Sequence, residues 1–358
     1  LTARVQDVLI LGASYGSLFG TKLLMAGHSV RLVCTRPTAE LINREGTVVR
    51  LPIRGRETPL EIVSTGLEGR LSASEPGAVD PGDYDLVVLG MQEPQYRSEG
   101  VRELMGRVAA SRVPCLAIMN IPPLPYLERI PGISTRGLAR CYADPAVWDG
   151  FEPGLVTLAS PDPQAFRPPG EPKNVLQVGL ATNFRAARFE GEEPTAILRS
   201  LEADIEAIRF DPGDGAVEVP VKLKVHDSVF VPISKWPMLL TGNYRCVRRD
   251  DMISIRDAVH ADASASREIY DWVRTLCRRL GATDEDLVPF EKYAGAAEGL
   301  TKPSSAARAL FGGAAQIERV DCLVRRIAEQ QGLHSETLDE IVALVDDRLR
   351  KNRAATPS

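Results

Sequence analysis

Val8-Leu9-Ile10-Leu11-Gly12-Ala13-Ser14-Tyr15-Gly16-Ser17-Leu18-Phe19-Gly20 is the stretch that decides how the chain is read. A short apolar run meets a loop of small residues, and the loop opens an apolar helix over Leu18 to Met25. Gly27-His28 ends that helix, and Ser29-Val30-Arg31-Leu32-Val33 starts a second strand. The unit has the length expected of a dinucleotide-binding fold, in which glycines let the backbone approach a pyrophosphate. The helix N-terminus then presents unpaired N–H groups to the phosphate charge. The usual order is Gly-x-Gly-x-x-Gly; here the glycines fall at 12, 16 and 20, and Ser14 stands near the second glycine's place. Gly12, Ser14, Tyr15, Gly16 and Ser17 are the expected cradle. Tight helix–strand packing in some other α/β protein is the competing explanation of the same residues.

Moving outward, Cys34-Thr35-Arg36-Pro37 follows the second strand. An acid there would take the ribose 2′-hydroxyl of NAD; a hydroxyl and a guanidinium, Thr35 and Arg36, suit the 2′-phosphate of NADP. Thr47 to Leu51 and Leu60 to Val63 alternate as short strands, and Leu71 to Asp83 reads as loop. Asp85 to Gly90 is a buried strand, followed by a helix over about Tyr96 to Ala110 and a strand over Pro114 to Met119. Ligands bind beyond the carboxyl ends of parallel strands, which makes Gln92, Gln95 and Asn120 candidates by position. Residues 134–173 are rich in Pro, Gly and Asp; a strand follows at Asn174 to Leu180 and a helix at Thr195 to Arg209. Arg185 and Arg188 are candidate anion contacts, with a plain surface role as the alternative.

From Asp227 on the pattern is helical: 227–245, 251–280, 283–293, 302–311, 314–331 and 335–352. The expected architecture is α/β, an N-terminal Rossmann-type dinucleotide-binding domain over 1–225 followed by an all-helical domain over 226–358. In that layout the active site lies in the cleft between domains. The tail, Lys351 to Ser358, reads as disordered.

The bulk numbers narrow the function classes. The chain has 358 residues, 44% of them hydrophobic and 25% charged, as in ordinary globular proteins. A net charge of −5 gives no electrostatic case for nucleic acid or acidic membranes. Six scattered cysteines form no Cys-x-x-Cys pair, against a disulfide scaffold or zinc site and in keeping with a reducing cytoplasm. No signal-peptide pattern opens the sequence and no apolar run is long enough to span a bilayer.

Four stretches together resemble the ketopantoate reductase (2-dehydropantoate 2-reductase) family over nearly the whole chain. They are the glycine loop with Ala26-Gly27-His28 and Val30 to Val33, Asp85 to Leu89 leading to Gln92 and Gln95, Met119-Asn120, and Ser234-Lys235-Trp236 through Asn243. The resemblance implies NADP(H), a small 2-oxo acid or hydroxy acid as substrate, and a homodimer through the helical half. It implies Lys235 as the general acid and Asn120 and Asn243 as orienting residues. It also implies Ser304 or Ser305 as the carboxylate contact, and an acid's place near Gln316 and Glu318. Reducing a ketone creates alkoxide charge, and a cation beside the oxygen stabilises it. On an ideal helix Lys235 and Asn243 lie about 80° apart and about 12 Å along the axis.

The chain departs from the family pattern in four places. Gln92 replaces a frequent lysine and Leu239 a frequent asparagine. Pro232 and Pro237 should kink or restart the helix, with Ser234 as the expected cap of a new turn. These departures imply a substrate other than ketopantoate. Two further readings share the layout. An opine- or imine-type dehydrogenase would use a histidine, His226 or His260 here, and a sensor would bind NADP without turnover.

Overall fold

The computed structural model describes residues 4–213 and 215–355. They fall into two compact units: the chain up to Met91 with Gln95–Tyr126 and Ala146–Asp227, and Gln92–Pro94 with Leu127–Pro145 and the chain from Ser228 onward.

The first unit holds, in chain order, β1 (Asp7–Leu11), α1 (Tyr15–Met25), β2 (Ser29–Val33), α2 (Arg36–Glu45), β3 (Val48–Leu51), β4 (Leu60–Val63), β5 (Leu71–Ser74), β6 (Leu86–Leu89), α3 (Val101–Ser111) and β7 (Cys115–Ile118). After a one-turn helix, α4 (Leu124–Leu127), come β8 (Val156–Ser160), β9 (Gln164–Phe166), β10 (Val175–Leu180), β11 (Phe184–Ala187), α5 (Glu192–Ala207), β12 (Arg209–Phe210), β13 (Val217–Glu218) and β14 (Leu223–His226).

Eight strands make the main sheet in the order β14-β11-β8-β7-β6-β1-β2-β5. It is parallel from β5 through β8, β11 runs antiparallel to β8, and β14 is parallel to β11. The central strands are buried on both faces, Val8 to Leu11 and Leu86 to Leu89 being 0% exposed, which is why they read as unbroken apolar runs. The direction of strand addition reverses between β1 and β6, and such a reversal opens a crevice at the strands' carboxyl ends.

A second sheet, β4-β3-β10-β9, packs with β3 and β10 against α1. Covered by the main sheet on one side and this sheet on the other, α1 is buried from Gly16 through Leu24. That includes Lys22, whose Nζ donates to the carbonyls of Val219 (3.3 Å) and Pro220 (3.1 Å). Burial brings its ammonium down to about 7, with Lys222 adding to the drop.

One strand escapes the sequence reading. Leu71–Ser74, expected as loop, is the edge strand β5, paired from Val30↔Leu71 to Val33↔Ser74. Its short polar side chains carry no strand signal. The ladder to β2 and the Asn43 amide hold it, since Asn43 donates to the Ala73 carbonyl and accepts from its N–H, both at 2.8 Å.

The second unit is helical, apart from an isolated bridge between Val247 and Met252. It holds α6 (Trp236–Met238), α7 (Ile255–His260), α8 (Ala263–Arg279), α9 (Phe290–Ala297), α10 (Ser305–Phe311), α11 (Val320–Gln330) and α12 (Glu336–Ala355). The helix expected over 251–280 breaks at Asp262, whose carboxylate accepts from the Ala265 N–H and caps α8. The helix expected over 283–293 is a turn instead. Asp286 accepts from both the N–H (2.8 Å) and the hydroxyl (3.0 Å) of Thr283, and α9 starts only after Pro289. The tail expected as disorder continues α12 to Ala355, because Asn352 donates to the carbonyls of Leu310 and Ala314 and Arg353 to that of Ala315. Residues 356–358 lie outside the described residues, as do residues 1–3 at the other end.

Candidate active site

The first candidate region is the loop between β1 and α1. Gly12 has φ +106°, and a Cβ there would meet the Met91 side chain at 2.6 Å. A Cβ on Gly90, just beyond β6, would lie 3.2 Å from the Gly16 Cα and 3.2 Å from the Leu11 carbonyl. Three glycines thus let α1 begin hard against the ends of β1 and β6, at the reversal of strand order. Ser14 is the N-cap residue of α1 and makes no side-chain cap bond. The N–H groups of the first helical turn have no partner within a helix, so this end offers donors to an anion.

Ser17, in the usual third-glycine place, is buried, and its hydroxyl donates 2.7 Å back to the Ala13 carbonyl. That bond satisfies the side chain and lets a serine replace the glycine. Tyr15 is held by packing. Its hydroxyl donates to the Pro163 carbonyl at 2.7 Å and its ring meets Phe184 edge-on at 5.9 Å. Burial, with Asp162 adding to it, holds its phenol well above the usual range.

Just past the end of β2, Thr35 is the N-cap residue of α2 without a side-chain bond to a helix N–H; its hydroxyl lies 3.1 Å from that of Thr38. Arg36 is exposed and donates to Glu40 at 3.0 Å. Gln92 and Gln95 are exposed, while Asn120 is half-buried just past β7. Arg188, one of the candidate anion contacts, donates to the carbonyl of Phe189 (3.1 Å) and to the Glu192 carboxylate (2.6 Å).

The second region lies in the helical unit and departs most from expectation. Lys235 is not in a long helix. Pro232–Lys235 is a 3₁₀ turn, Trp236–Met238 a single α-turn, and Leu239–Asn243 a π-turn closed by the Tyr244 N–H on the Leu239 carbonyl at 2.9 Å. Pro237 is the cause at the first break. It has no N–H for the Ile233 carbonyl, which accepts from Trp236 instead. Ser234 does not cap the new turn; its hydroxyl donates 2.7 Å back to the Val231 carbonyl. The wider π-turn changes the winding between Lys235 and Asn243, so the ideal-helix angle does not apply. Turns of this kind recur at functional sites.

Lys235 and Asn243 are half-buried. The Ser304 hydroxyl donates to the Asn243 carbonyl at 2.7 Å and accepts from the Ala307 N–H at 3.1 Å, capping α10. Ser304 and Asn243 are therefore brought together, with the serine hydroxyl spent on structure. Ser305, the first residue of α10, is exposed. Gln316 is half-buried. Glu318 is buried, its carbonyl accepting from the Tyr244 hydroxyl and its carboxylate from the Glu93 N–H at 3.4 Å.

Glu93 was missed between the two glutamines that position had singled out. It is 3% exposed, and its carboxylate accepts from the Ala143 N–H at 3.0 and 3.2 Å. Burial pushes its carboxyl up to about 7, and Glu318 adds to the rise against the Ala143 and Asp144 N–H groups. Among the described residues no group of three or more His, Cys, Asp or Glu would hold a metal ion, and no helix is long and apolar enough to cross a membrane.

The sequence matches no family model and no curated protein. Solved structures do resemble it. A ternary complex of D-mandelate dehydrogenase with NADH and anilino(oxo)acetate matches with a TM-score of 0.63 at 13% identity, over 97% of this chain and 99% of that one. The 2-dehydropantoate 2-reductase of Methylococcus capsulatus matches with a TM-score of 0.68 at 14% identity, over 98% of each chain. A dimeric ketopantoate reductase of Staphylococcus aureus matches with a TM-score of 0.62 at 10% identity, over 97% and 99%. Over nearly its whole length, this chain has the fold of the ketopantoate reductases, as a divergent structural relative.

Proposed function

We propose that the chain is a nicotinamide-dinucleotide-dependent oxidoreductase that uses NADP(H) to interconvert a 2-oxo acid, or a related carbonyl, and its hydroxy compound. The observation that carries this reading is the glycine cradle where β1 meets α1. Gly12, Gly16 and Gly90, where a Cβ would run into Met91, Ile10 and the Gly16 backbone, let α1 start against the ends of β1 and β6 and bring its N-terminal N–H groups to the β1/β6 reversal, in a fold shared end to end with an NADH-bound dehydrogenase. The residues present fit a dinucleotide. Gly12, Ser14, Gly16 and Ser17 receive the pyrophosphate at the N-terminus of α1, and Thr35 and Arg36 lie at the adenosine end.

When bound, the dinucleotide supplies or accepts the hydride. Lys235 holds the proton that the carbonyl oxygen takes as it gains alkoxide character, and Asn120 and Asn243 orient substrate and lysine through their amides. With the Ser304 hydroxyl committed to Asn243 and α10, Ser305 is the remaining serine for a substrate carboxylate. A homodimer belongs to the same reading, as in the Staphylococcus aureus reductase.

The test is a titration of the purified protein with NADPH and NADH, followed by nicotinamide fluorescence, and then a screen of 2-oxo acids. Lys235→Ala should lower kcat by about 10²–10⁴-fold and leave the NADPH Kd unchanged. NADPH binding with no turnover on any 2-oxo acid, and no effect of Lys235→Ala, would instead describe a protein that binds the nucleotide without catalysis.

A further inference from the structure

We propose that Arg167, contributed by the β9–β10 hairpin, is the residue that reads the 2′-phosphate of NADP(H) in this chain, ahead of Arg36. This rests on the dinucleotide reading above.

Arg167 lies far along the chain from the glycine loop, in the Pro- and Gly-rich segment that offered no site signal. Its guanidinium nevertheless meets that loop, Nη2 donating to the Ala13 carbonyl at 3.1 Å. The Tyr15 hydroxyl bonds the same hairpin at Pro163, so the hairpin is fastened to the loop at two points. The guanidinium also stands close enough to Cys34 for the two to interact electrostatically. Cys34 immediately follows β2, at the place where an NAD-binding chain carries the acid that takes the ribose 2′-hydroxyl. Here that place holds a thiol, which burial pushes up to about 11 and so keeps neutral.

Arg167 therefore faces a neutral group where a carboxylate would otherwise stand. It has no ion pair with any described acid, and its buried Nε has no acceptor among the described residues. Of the nearby acids, Asp162, just before β9, accepts from the Ser160 hydroxyl at 2.9 Å, and Glu171, between β9 and β10, pairs with Arg50 at 2.7 Å. A guanidinium has five N–H donors in a fixed fork, matched to the oxygens of a phosphate. One of the five makes the bond to Ala13, leaving donors for a dianion near Cys34. Arg36, by contrast, is exposed and already bonded to Glu40, with Glu75 close by.

The experiment measures NADPH and NADH binding by fluorescence for the full-length wild type, Arg167→Ala, Arg167→Lys, Arg36→Ala and Cys34→Asp. Thermal melting checks that each variant is folded. Arg167→Ala should weaken NADPH about tenfold or more and change NADH less than about twofold, with Arg167→Lys in between. Arg36→Ala should weaken NADPH less than Arg167→Ala does. Cys34→Asp, which leaves Arg167 in place but offers it a carboxylate, should also weaken NADPH and spare NADH. That variant carries the test if Arg167→Ala fails to fold.

Unchanged NADPH binding by the Arg167 variants overturns the proposal. Equal weakening of both nucleotides overturns it too, since Arg167 would then only tie down the loop. Binding of neither nucleotide by the wild type overturns the dinucleotide reading as well, which separates the two failures.

Discussion

The loop from Gly12 to Gly16 and the broken helix from Pro232 to Asn243 both depart from regular backbone, by opposite means. The loop works by missing side chains. Gly12, Gly16 and Gly90 leave the backbone bare so that α1 starts close against two strand ends. The helix works by a missing N–H. Pro237 denies the Ile233 carbonyl its α-helical donor, and the chain answers with a 3₁₀ turn before it and a π-turn after it. Bare backbone can be read from the glycines themselves. A disrupted hydrogen-bond ladder is readable at Pro237, but its resolution depends on neighbours distant in sequence, above all Tyr293, whose hydroxyl donates to the Met238 carbonyl at 3.0 Å.

The comparison is broken most severely at Gly242. A Cβ there would lie 2.0 Å from the Tyr293 hydroxyl and 3.0 Å from Ile255 Cγ2. Gly242→Ala should therefore destabilise the protein by about 3 kcal/mol in denaturant unfolding. Tyr293→Phe alone should cost about 1 kcal/mol, the worth of its hydrogen bond. The double variant should lose clearly less than the sum, because removing the hydroxyl removes the collision. Strict additivity would mean that the π-turn is not built around Tyr293.

Acid–base behaviour sharpens the contrast between the units. In the second, Glu93 is raised from 4.5 to about 7. Between those values the folded protein holds the extra proton, so its contribution to stability falls as pH rises from 4.5 to 7. In the first, Lys22 is lowered from 10.5 to about 7. There the unfolded chain holds the extra proton, so stability rises from pH 7 to 10.5. Each slope is at most about 1.4 kcal/mol per pH unit. Unfolding of wild type, Glu93→Gln and Lys22→Met across pH 4–10 should show the first variant losing the acid-side slope and the second the alkaline one. A Lys22→Met profile parallel to wild type above pH 7 would contradict the buried, uncharged lysine.

A more modest effect than at Gly242 is expected at Ser304. Ser304→Ala removes the cap of α10 and the bond to the Asn243 carbonyl, at a cost of about 1–2 kcal/mol by thermal or denaturant unfolding. The KM of any substrate found should rise less in Ser304→Ala than in Ser305→Ala if Ser305 holds the carboxylate.

Much of the first unit was legible because its signals are local. Val8 to Leu11 and Leu86 to Leu89 are apolar on both faces, and Gly27-His28 ends a helix where expected. β5 was not legible, since Leu71-Ser72-Ala73-Ser74 becomes a strand only by pairing with β2 and by the grip of Asn43. In the helical unit periodicity marked helices but not their breaks. Asp262 and Asp286 interrupt them with side-chain bonds to N–H groups, and one turn or another wins by local hydrogen-bond competition. Glu93 carried no signal beyond its place after β6. Arg167 carried none at all.

By itself the sequence determined the α/β-then-helical order, the glycine loop and the break of the helix at Pro237, because apolar runs, glycines and prolines act through the backbone they occupy. Only the tertiary structure decided that Ser17 can replace a glycine, that the Ser304 hydroxyl is spent on Asn243, that Glu93 is buried, and that a hairpin brings Arg167 to Ala13 and Cys34. Those outcomes depend on burial and on partners far apart in the chain, and neither is encoded in any single stretch of it.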